Sequence, residues 1–426
     1  MKALIITYYW PPSGGSGVQR WLKFVKYLRY FQIEPVIFTV KNPNYAIEDI
    51  SLQNEVPENI EVLRQPIWEP NNFLSFFGSK KKETSAGFLN PNPSFIGKLA
   101  QYIRANYFIP DARKYWIKPS VKYLTKYLKD NKIDIIITTG PPHSTHLIGL
   151  QLKKKLNIKW IADFRDPWTE IDYFHQLPLT KRSIEEHRKL EEEVLKNADT
   201  VLVVGKTMAN NFTKFTKKVE VITNGYDTYE MKNEVRLDEK FSLVHIGMLN
   251  SDRNHEILWK VLQELCLENK EFSEDLQLKF IGKLANDVVR DIKKYELKNY
   301  TTFIDYLAHR EVLQHQLSAQ VLLLSVNNVP SAKGIITSKI FEYLQANRPI
   351  LAIGPTDGDL AEIINKTSSG TIIDFVDEIK LKKEILKLYT NFKNKVPKEE
   401  SINIDQYHRK ELTKQLAKII KTILKK

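Results

Sequence analysis

Short apolar runs alternate with longer stretches of helical periodicity along most of the sequence. Each run suits a buried strand and each intervening stretch suits a helix, which is typical of parallel sheets with helices on both faces. The polar stretch 226–240, after the turn-forming pair Asn224-Gly225, separates two such series. We therefore predict an α/β protein with two doubly wound, Rossmann-like domains that face each other across a cleft. The predicted strands are 3–7, 35–39, 134–138, 160–162, 200–204 and 219–222 in the first series, and 242–246, 278–281, 302–304, 321–324, 349–353 and 370–373 in the second.

The length of the chain also favours two domains. At 426 residues it exceeds what one hydrophobic core usually supports. We expect residues 1–224 to form one domain and 225–405 the other, followed by a basic amphipathic helix at 406–426. In that last segment leucines and isoleucines recur at helical spacings with lysines between them. The pattern fits either a packing element or a helix on a membrane surface.

The composition excludes some kinds of protein and leaves others open. No apolar run approaches the ~20 residues that span a bilayer, and no segment resembles a signal peptide, so we expect a cytoplasmic protein. The single cysteine, Cys266, excludes an intramolecular disulfide and a cysteine cluster for metal. The net charge of +13 favours a polyanionic partner such as nucleic acid, anionic lipid or a nucleotide. It does not choose among them, and a lysine-rich genome composition would give the same balance.

Residues 71–119 break the alternating pattern, because aromatic residues are interleaved there with lysines and arginines. The interface of a bilayer favours this mixture, and single-stranded nucleic acid would use the same residues. A segment whose aromatic side chains fold back onto the sheet is an equally good interpretation. The residues concerned are Phe73, Phe76, Phe77, Phe88, Phe95, Tyr102, Tyr107, Phe108, Tyr115, Trp116, Lys80, Lys81, Lys82, Lys98, Arg104, Arg113 and Lys114.

A glycine-rich loop follows the first predicted strand. Residues 13–17 are Ser-Gly-Gly-Ser-Gly, and a helical pattern begins at Val18. Glycines let a ligand approach the backbone, and the first N–H groups of a helix lack intrahelical partners, so Gly15 and Gly17 are candidates for contact with a phosphate or a sugar. The loop lacks the spacing of a dinucleotide fingerprint. A tight turn without a ligand is the alternative.

The segment 334–351 predicts a glycine loop, a helix, a tight turn and a buried strand in succession. We expect Ser338 to cap the helix, and Lys339 and Glu342 to share one face because they lie three residues apart. The carboxylate of Glu342 can accept two hydrogen bonds from a vicinal diol such as that of ribose, while an ammonium group and free N–H groups can hold a diphosphate. An ordinary surface pair of Lys339 and Glu342 is the alternative.

Five motifs occur in order along the chain: Tyr-Trp-Pro-Pro-Ser-Gly-Gly at 9–15, Asp-Phe-Arg-Asp-Pro-Trp at 163–168, Thr-Asn-Gly-Tyr-Asp at 223–227, Ile-Gly-Met-Leu at 246–249 and Ser-Lys-Ile-Phe-Glu-Tyr-Leu at 338–344. Together they resemble the GT-B glycosyltransferases, specifically the retaining family 4-like group. The resemblance implies that the C-terminal domain binds a nucleoside-diphosphate sugar, that the N-terminal domain binds the acceptor, and that the last helix crosses back to the first domain. It also implies a front-face transfer in which the donor phosphate oxygen takes the acceptor proton.

The resemblance also suggests residues for the donor site. By position, Glu342 matches the second glutamate of the family's paired-glutamate motif and is expected to bind the ribose hydroxyls. The first glutamate is replaced by Gly334, so its contacts with the donor sugar are expected to come from backbone N–H groups near Gly334 and Ile335, or from elsewhere. The remaining expected donor-binding residues are Gly15, Gly17, Gly247, Ser338 and Lys339.

Two cations follow strands of the second series, where similar enzymes place a basic pair on the diphosphate. Arg253 comes after the strand 242–246, and Lys283 comes after the strand 278–281. Positive charges there stabilise the charge that grows on the leaving phosphate, so we expect catalysis without a metal ion or another cofactor. A solvated arginine is the alternative for Arg253.

Polar residues after two strands of the first series are the candidates on the acceptor side. We expect Asp166 to orient an acceptor hydroxyl, with Arg165 and Trp168 beside the acceptor, unless Arg165 and Asp166 pair within their loop. His143 and His146 follow the strand 134–138, where the family often has a histidine near the donor sugar. We assign a catalytic role to His143, which is nearer to the strand end, and acceptor contact to His146. A structural role for both histidines is the alternative.

These observations favour transfer of a sugar from a nucleotide sugar to a glycan or lipid-linked saccharide in cell-surface polysaccharide synthesis. The enzyme would lie in the cytoplasm or on the inner face of the membrane, without binding nucleic acid. An epimerase of the same architecture, acting on the nucleotide sugar itself, is the second hypothesis. A non-catalytic nucleotide-sugar-binding protein is the third, because the glutamate expected at position 334 is missing.

Overall fold

The computed structural model describes residues 1–45, 47–69, 95–171, 174–228, 235–305, 307 and 309–425. The chain forms two compact units. The first contains Met1–Asn224 and Arg409–Lys426, and the second contains Gly225–His408. Each unit is organised around one parallel sheet.

The first unit has a seven-stranded sheet in the order β3-β2-β1-β4-β5-β6-β7. Its strands pair in parallel, for example with Ala3 of β1 opposite Pro35 of β2 on one side and Ile135 of β4 on the other. The strands are β1 Lys2–Ile6, β2 Glu34–Val40, β3 Glu61–Gln65, β4 Ile135–Gly140, β5 Lys159–Phe164, β6 Thr200–Val203 and β7 Val219–Val221. The helices described for this unit are α1 Ser16–Leu28, α2 Phe95–Tyr107, α3 Lys114–Asp130, α4 Ser144–Leu156, α5 Lys181–Asn197, α6 Lys206–Phe212 and, from the end of the chain, α14 Arg409–Lys425.

The second unit has a six-stranded parallel sheet in the order β10-β9-β8-β11-β12-β13. The strands are β8 Phe241–Ile246, β9 Leu276–Ile281, β10 Thr301–Ile304, β11 Val321–Ser325, β12 Ile350–Ile353 and β13 Gly370–Ile373. The helices are α7 Glu256–Glu268, α8 Lys270–Asp275, α9 Asn286–Lys294, α10 His309–Ser318, α11 Lys339–Ala346, α12 Asp359–Thr367 and α13 Glu378–Lys393.

Helices cover both faces of each sheet, so the central strands are mostly apolar and mostly buried. In the first unit, α1 and α14 pack on one face, while α3 and α4 contribute to the core on the other. Parallel strands need long crossover connections, and the helical stretches between the apolar runs supply them. The predicted fold class, with two Rossmann-like sheets, is confirmed.

One strand of the first sheet was not predicted. The edge strand β3, Glu61–Gln65, has the sequence Glu-Val-Leu-Arg-Gln, and its side chains are exposed or half-buried. An edge strand has a neighbour on one side only and needs little apolar surface, so its sequence lacks the apolar run that marks the central strands.

The apolar side of α14 is buried. Leu412, Leu416 and Ile420 belong to the same apolar core as Trp21 and Leu28 of α1. The C-terminal helix is therefore a packing element of the first unit, which decides between the two alternatives for the end of the sequence. Within the described ranges, none of the helices combines the length and the apolar character that crossing a bilayer requires.

Candidate functional site

In parallel α/β sheets, ligands bind beyond the carboxyl ends of the strands. In the second unit, a glycine follows each of two neighbouring strands there: Gly247 after β8 has φ 92° and Gly282 after β9 has φ 110°. The backbones approach so closely that a Cβ on Gly282 would lie 3.1 Å from the carbonyl carbon of Gly247. Glycine is needed at both positions because other residues rarely adopt these angles and their side chains would not fit.

Lys339 is the first residue of α11, and the end of its side chain lies next to the Cα of Gly247. Its Cε lies 2.8 Å from the point that a Cβ of Gly247 would occupy, and its Nζ lies 3.4 Å from Nε2 of His245. Burial, together with the positive charge of Arg253, lowers the pKa of Lys339 to about 7, and the carboxylate of Glu342 opposes this effect. Among the residues that the structure describes, no ion pair joins Lys339 to Glu342, so the surface-pair alternative does not hold.

Arg253 ends the short 3-10 helix Ser251–Arg253 after β8, and protein contacts hold its guanidinium group. Its Nε donates to Oδ1 of Asn327 at 2.5 Å, and its Nη1 donates to the carbonyl oxygen of Met248 at 3.2 Å. These bonds fix the guanidinium close enough to Lys339 to lower the pKa of that residue. The arginine is therefore not a freely solvated side chain, and the strand end carries two positioned cations.

Lys283 follows Gly282 and is exposed. Its carbonyl oxygen accepts a hydrogen bond from the N–H of Leu249 at 3.0 Å, so the chains that leave β8 and β9 remain paired beyond the strands. This pairing places Lys283 at the same sheet edge as Gly247.

Glu342 lies one turn after Lys339 on α11, and a residue that sequence reasoning missed holds its carboxylate. Nε2 of Gln316, on α10, donates to Oε2 of Glu342 at 2.9 Å. The Gln316 side chain has no solvent exposure, and its Oε1 has no hydrogen-bond partner among the described residues. A buried amide with one unsatisfied group is costly. The sequence did contain a signal for this residue: Gln316 is a polar residue at helical spacing from the apolar Val312 and Leu313 of α10.

The expectation that Ser338 caps α11 is wrong. Ser338 has helical angles, with φ −61° and ψ −21°, and its side chain makes no capping hydrogen bond. The N–H groups of Gly334 and Ile335 donate to the carbonyl oxygens of Ser331 and Ala332, at 3.0 and 3.1 Å. These two N–H groups are used within local turns, so they are not free to replace the missing glutamate.

In the first unit, the two histidines after β4 are buried. His143 stacks on Trp168 with ring centroids 4.7 Å apart, and His146 stacks on Phe164 at 4.3 Å. Burial lowers the pKa of His143 well below its usual value and that of His146 to about 3, so both rings are neutral at physiological pH. Nδ1 of His143 and Nε2 of His146 both lie beside Gly140, and neither has a hydrogen-bond partner among the described residues.

His146 and Trp168 are poorly placed for the acceptor contact expected of them. His146 is 0% exposed, and its Nδ1 lies 2.9 Å from the hydroxyl of Thr138. Trp168 is 2% exposed, and its indole N–H donates to Nδ1 of His187 at 3.0 Å. The backbone N–H of Trp168 also donates to Glu191 on α5, at 3.1 Å. Such burial leaves neither side chain accessible to an acceptor in this conformation. The structural alternative therefore fits His146 better, and Trp168 also has a structural role.

Arg165 connects the strand ends to the glycine loop. Its Nε donates to the carbonyl oxygen of Gly140 at 3.3 Å, and its Nη2 donates to that of Pro141. Its Nη1 lies 2.3 Å from the point that a Cβ on Gly17 would occupy, so a larger residue there would displace the guanidinium. The neighbouring Asp166 is exposed, and its charge favours the cationic form of Arg165.

The glycine loop itself is open at one position. Gly15 precedes α1 with φ 89°, and no atom lies within 4 Å of the point that its Cβ would occupy. A ligand group therefore has room to approach the backbone at Gly15, while the guanidinium of Arg165 already fills the corresponding space at Gly17.

Asp163, at the end of β5, forms the centre of a buried polar network. Nη2 of Arg20 lies 2.9 Å from its carboxylate, and both side chains are fully buried. The indole of Trp21 and the hydroxyl of Thr139 also donate to it, at 2.7 and 2.9 Å. Arg20 further donates to the carbonyl oxygen of Thr223 at 2.7 Å. Asp163 is therefore a structural member of its motif, a role that the sequence did not assign.

The part of the predicted interface segment before α2 lies outside the described residues. This part includes Phe73, Phe76, Phe77, Phe88, Lys80, Lys81 and Lys82. Across the described ranges, no three His, Cys, Asp or Glu side chains group closely enough to hold a metal ion. Metal independence stays a prediction.

Comparison with known families gives two matches, which fall mainly on the first and the second unit respectively. The family described as Glycosyltransferase Family 4 matches residues 88–230, and the family described as Glycosyl transferases group 1 matches residues 227–410. No curated protein matches the sequence.

Solved structures are similar over almost the full length. WaaG, a glycosyltransferase involved in lipopolysaccharide biosynthesis, is 13% identical with a TM-score of 0.55, covering 98% of this chain and 99% of its own. An S. aureus TarM variant in complex with fondaparinux, α-GlcNAc-glycerol and UDP is 12% identical with a TM-score of 0.57, covering 100% and 98%. The UDP-GlcNAc 2-epimerase of Methanocaldococcus jannaschii is 14% identical with a TM-score of 0.54, covering 99% and 100%.

At these identities the structures establish the fold, and the epimerase shows that the fold alone does not separate two reaction classes. The family matches separate them, because both are families of glycosyltransferases. The chain belongs to the family 4-like group of GT-B glycosyltransferases.

Proposed function

We propose that this glycosyltransferase moves a sugar from a nucleoside-diphosphate sugar to a saccharide or lipid-linked saccharide in cell-surface glycan synthesis, with retention of the anomeric configuration. The observation that carries the proposal is the cluster at the strand ends of the second unit. There, Lys339 lies beside Gly247, Arg253 is hydrogen-bonded to the carbonyl oxygen of the next residue, Met248, and Glu342 lies one helical turn after Lys339.

The cluster matches the chemistry of a nucleoside diphosphate. A diphosphate against the backbone of Gly247 would meet the ammonium of Lys339 and the guanidinium of Arg253, with the exposed Lys283 at the same edge. Cations positioned before the reaction stabilise the charge that develops on the leaving phosphate. Glu342, oriented by Gln316, would accept hydrogen bonds from the ribose hydroxyls.

The acceptor is assigned to the first unit. Asp166 is exposed after β5, and Gly15 leaves open space before α1, so these two positions can contact a bound sugar. His143 is neutral and only 8% exposed, which suits a contact with one sugar hydroxyl better than proton transfer to solvent. A general base is not required if the donor phosphate oxygen takes the acceptor proton, as the family resemblance implies.

Two of the similar structures support the substrate classes. The TarM variant is in complex with UDP, and WaaG is involved in lipopolysaccharide biosynthesis. We expect a nucleotide diphosphate and a surface glycan to be the corresponding substrates here. One of the similar structures is an epimerase, so the experiment must also distinguish sugar transfer from epimerisation of the donor.

A binding and turnover experiment tests the proposal. UDP, GDP, ADP and CDP are compared by thermal shift, and sugar conjugates of the best nucleotide are incubated with and without glycan acceptors. A transferase releases nucleotide in an acceptor-dependent manner. Conversion of the donor without an acceptor would favour the epimerase, and binding without turnover across the panel would favour the non-catalytic protein. Absence of binding by all four nucleotides would overturn the proposal.

A further inference from the structure

The helix α2 has an apolar side that is exposed, flanked by the exposed Lys98 and Arg104, which is unusual for a helix of a globular protein. Leu99, Tyr102, Ile103 and Tyr107 lie on one side of this helix and are between 42% and 65% exposed. The apolar side of an amphipathic helix normally faces a core. This side of α2 has solvent in front of it instead.

An exposed aromatic cluster continues this surface onto α3. Trp68 and Tyr115 are exposed, and their rings meet edge to face with centroids 4.9 Å apart. Nζ of Lys114 lies 5.6 Å from the ring centroid of Phe108 and 5.4 Å from that of Tyr115, and it donates to the carbonyl oxygen of Tyr107. These contacts join the end of α2 to the start of α3. We call the exposed side of α2, with Trp68 and the exposed side of α3, the α2–α3 face.

The α2–α3 face is also strongly basic. Residues 95–130 contain eight lysines and arginines and two aspartates, a net charge of +6 out of the +13 of the whole chain. The α2 sequence contains no acidic residue, and Lys118, Lys122 and Lys126 are exposed along α3. Cations that outnumber acidic groups this clearly favour an anionic partner.

We propose that the α2–α3 face docks on an anionic lipid bilayer. Leucine and isoleucine enter the boundary of the acyl chains, tyrosine and tryptophan rings occupy the headgroup level, and the lysines of α3 contact lipid phosphates. Single-stranded nucleic acid uses aromatic stacking and cations but gains little from exposed aliphatic side chains such as Leu99 and Ile103. The mixture of aliphatic, aromatic and cationic groups therefore favours lipid.

A second basic helix of the same unit shows what distinguishes this face. Lys414, Lys418 and Lys425 of α14 are exposed, but the apolar residues of that helix are buried against α1. α14 therefore offers charge without an apolar group to insert. The docking proposal does not depend on the reaction proposed above, because binding to vesicles needs neither donor nor turnover.

The test measures binding of the full chain to vesicles of phosphatidylcholine with and without phosphatidylglycerol, by flotation. We expect the protein to bind only the anionic vesicles, and less at high salt. The double variant Leu99→Ser/Ile103→Ser removes aliphatic groups and is expected to bind about tenfold or more weakly. The double variant Lys118→Glu/Lys122→Glu is expected to lose about the same amount of affinity for anionic vesicles.

Matched controls carry the same substitutions elsewhere. Leu267→Ser with Ile379→Ser changes two aliphatic side chains of the second unit that are 75% and 85% exposed, and Lys414→Glu with Lys418→Glu reverses two charges on α14. Both controls should bind vesicles like the unmodified chain. Thermal unfolding of every variant checks that it is folded.

Three results would overturn the proposal: no binding of the unmodified chain to anionic vesicles, equal binding to neutral vesicles, or equal losses in the controls and the α2–α3 variants. Binding to single-stranded RNA but not to vesicles, lost in the same variants, would also overturn it. Nucleotide binding, measured separately on the same variants, keeps this outcome distinct from a failure of the proposed reaction.

Discussion

Charged side chains lie at the strand ends of both units, but they differ in how their charge is compensated. In the first unit, Arg20 forms an ion pair with Asp163, and both are fully buried. In the second unit, Lys339 lies beside a glycine and a neutral histidine, and the described residues provide no carboxylate in ion-pair contact with it. The first arrangement is complete within the protein, whereas the second is suited to an external anion.

This difference separates structural charge from binding charge. A buried ion pair that loses one partner leaves a charge without compensation and destabilises the fold. A cation with a lowered pKa at a strand end, such as Lys339, is typical of a binding or catalytic position. Substitutions in the first cluster should therefore change stability, and substitutions in the second should change ligand affinity.

The largest expected effect is that of Asp163→Ala. Removal of the carboxylate leaves the guanidinium of Arg20 buried and unpaired, so we expect the first unit to lose about 3–5 kcal/mol of unfolding free energy. Denaturant unfolding followed by circular dichroism measures it. The double variant Arg20→Met/Asp163→Leu is the control and should lose less, because no charge is left behind. A single variant as stable as the unmodified chain would show that the pair is not structural.

Glu342→Ala should lower the affinity for a nucleotide rather than the stability of the fold. Loss of the carboxylate is expected to weaken binding of the preferred nucleoside diphosphate by about 1–3 kcal/mol, while the unfolding temperature changes little. Isothermal titration calorimetry measures the affinity. The 2′-deoxy nucleotide is the matched control and should be affected less, because it lacks one of the hydroxyls. An unchanged affinity would remove Glu342 from the site.

The affinity for the diphosphate should also depend on pH through Lys339. The lowered pKa, about 7, means that the free protein loses the ammonium charge as pH rises through that value. A bound diphosphate favours the charged form, so binding takes up a proton, and affinity should fall between pH 7.5 and 9 by up to about tenfold per unit. Phosphate itself is ionised in that range, since its last pKa is about 6.

Titrations at several pH values, in buffers of different ionisation enthalpy, measure this proton uptake. Lys339→Arg, whose charge persists at all these pH values, should bind with little pH dependence. The groups facing Lys339 are His245, Arg253 and Glu342, and burial keeps His245 neutral throughout the range. A pH dependence that survives in Lys339→Arg would assign the proton to another group.

Gln316→Leu is expected to have the smallest effect. It removes the hydrogen bond to Glu342 while keeping an apolar side chain of similar size, so ribonucleotide affinity should fall by about 1 kcal/mol. The free energy of unfolding should stay the same or increase, because the substitution removes the buried Oε1 of Gln316, which has no hydrogen-bond partner among the described residues. In the Glu342→Ala background the same substitution should have no further effect on affinity. An equal loss in both backgrounds would show that Gln316 does not act through Glu342.

The sequence predicted the fold well because the signal is local. Central strands such as β11, Val-Leu-Leu-Leu-Ser, are nearly continuous apolar runs, and each lies between helical stretches with their own periodicity. The edge strand β3 lacks that signal and escaped prediction. Arg253 was identifiable because it follows a predicted strand closely, and Lys339 because it lies at the start of the helix predicted within 334–351.

What the sequence could not predict depends on contacts between distant segments. Whether Trp168 turns inward is decided by His187 and Glu191, which α5 brings to it from further along the chain. The link between Gln316 and Glu342 joins two helices in the same way. Whether the N–H groups of Gly334 and Ile335 form hydrogen bonds within their own loop depends on its turn type, which its sequence does not determine.

The first unit is built from two separate stretches of chain, Met1–Asn224 and Arg409–Lys426. A fragment that ends at Asn224 would therefore expose the apolar side of α1, which Leu416 and Ile420 cover in the full chain. A circular permutant with residues 409–426 placed before residue 1 would make this unit continuous. Such a rearrangement would allow either half of the enzyme to be produced alone with its hydrophobic core complete.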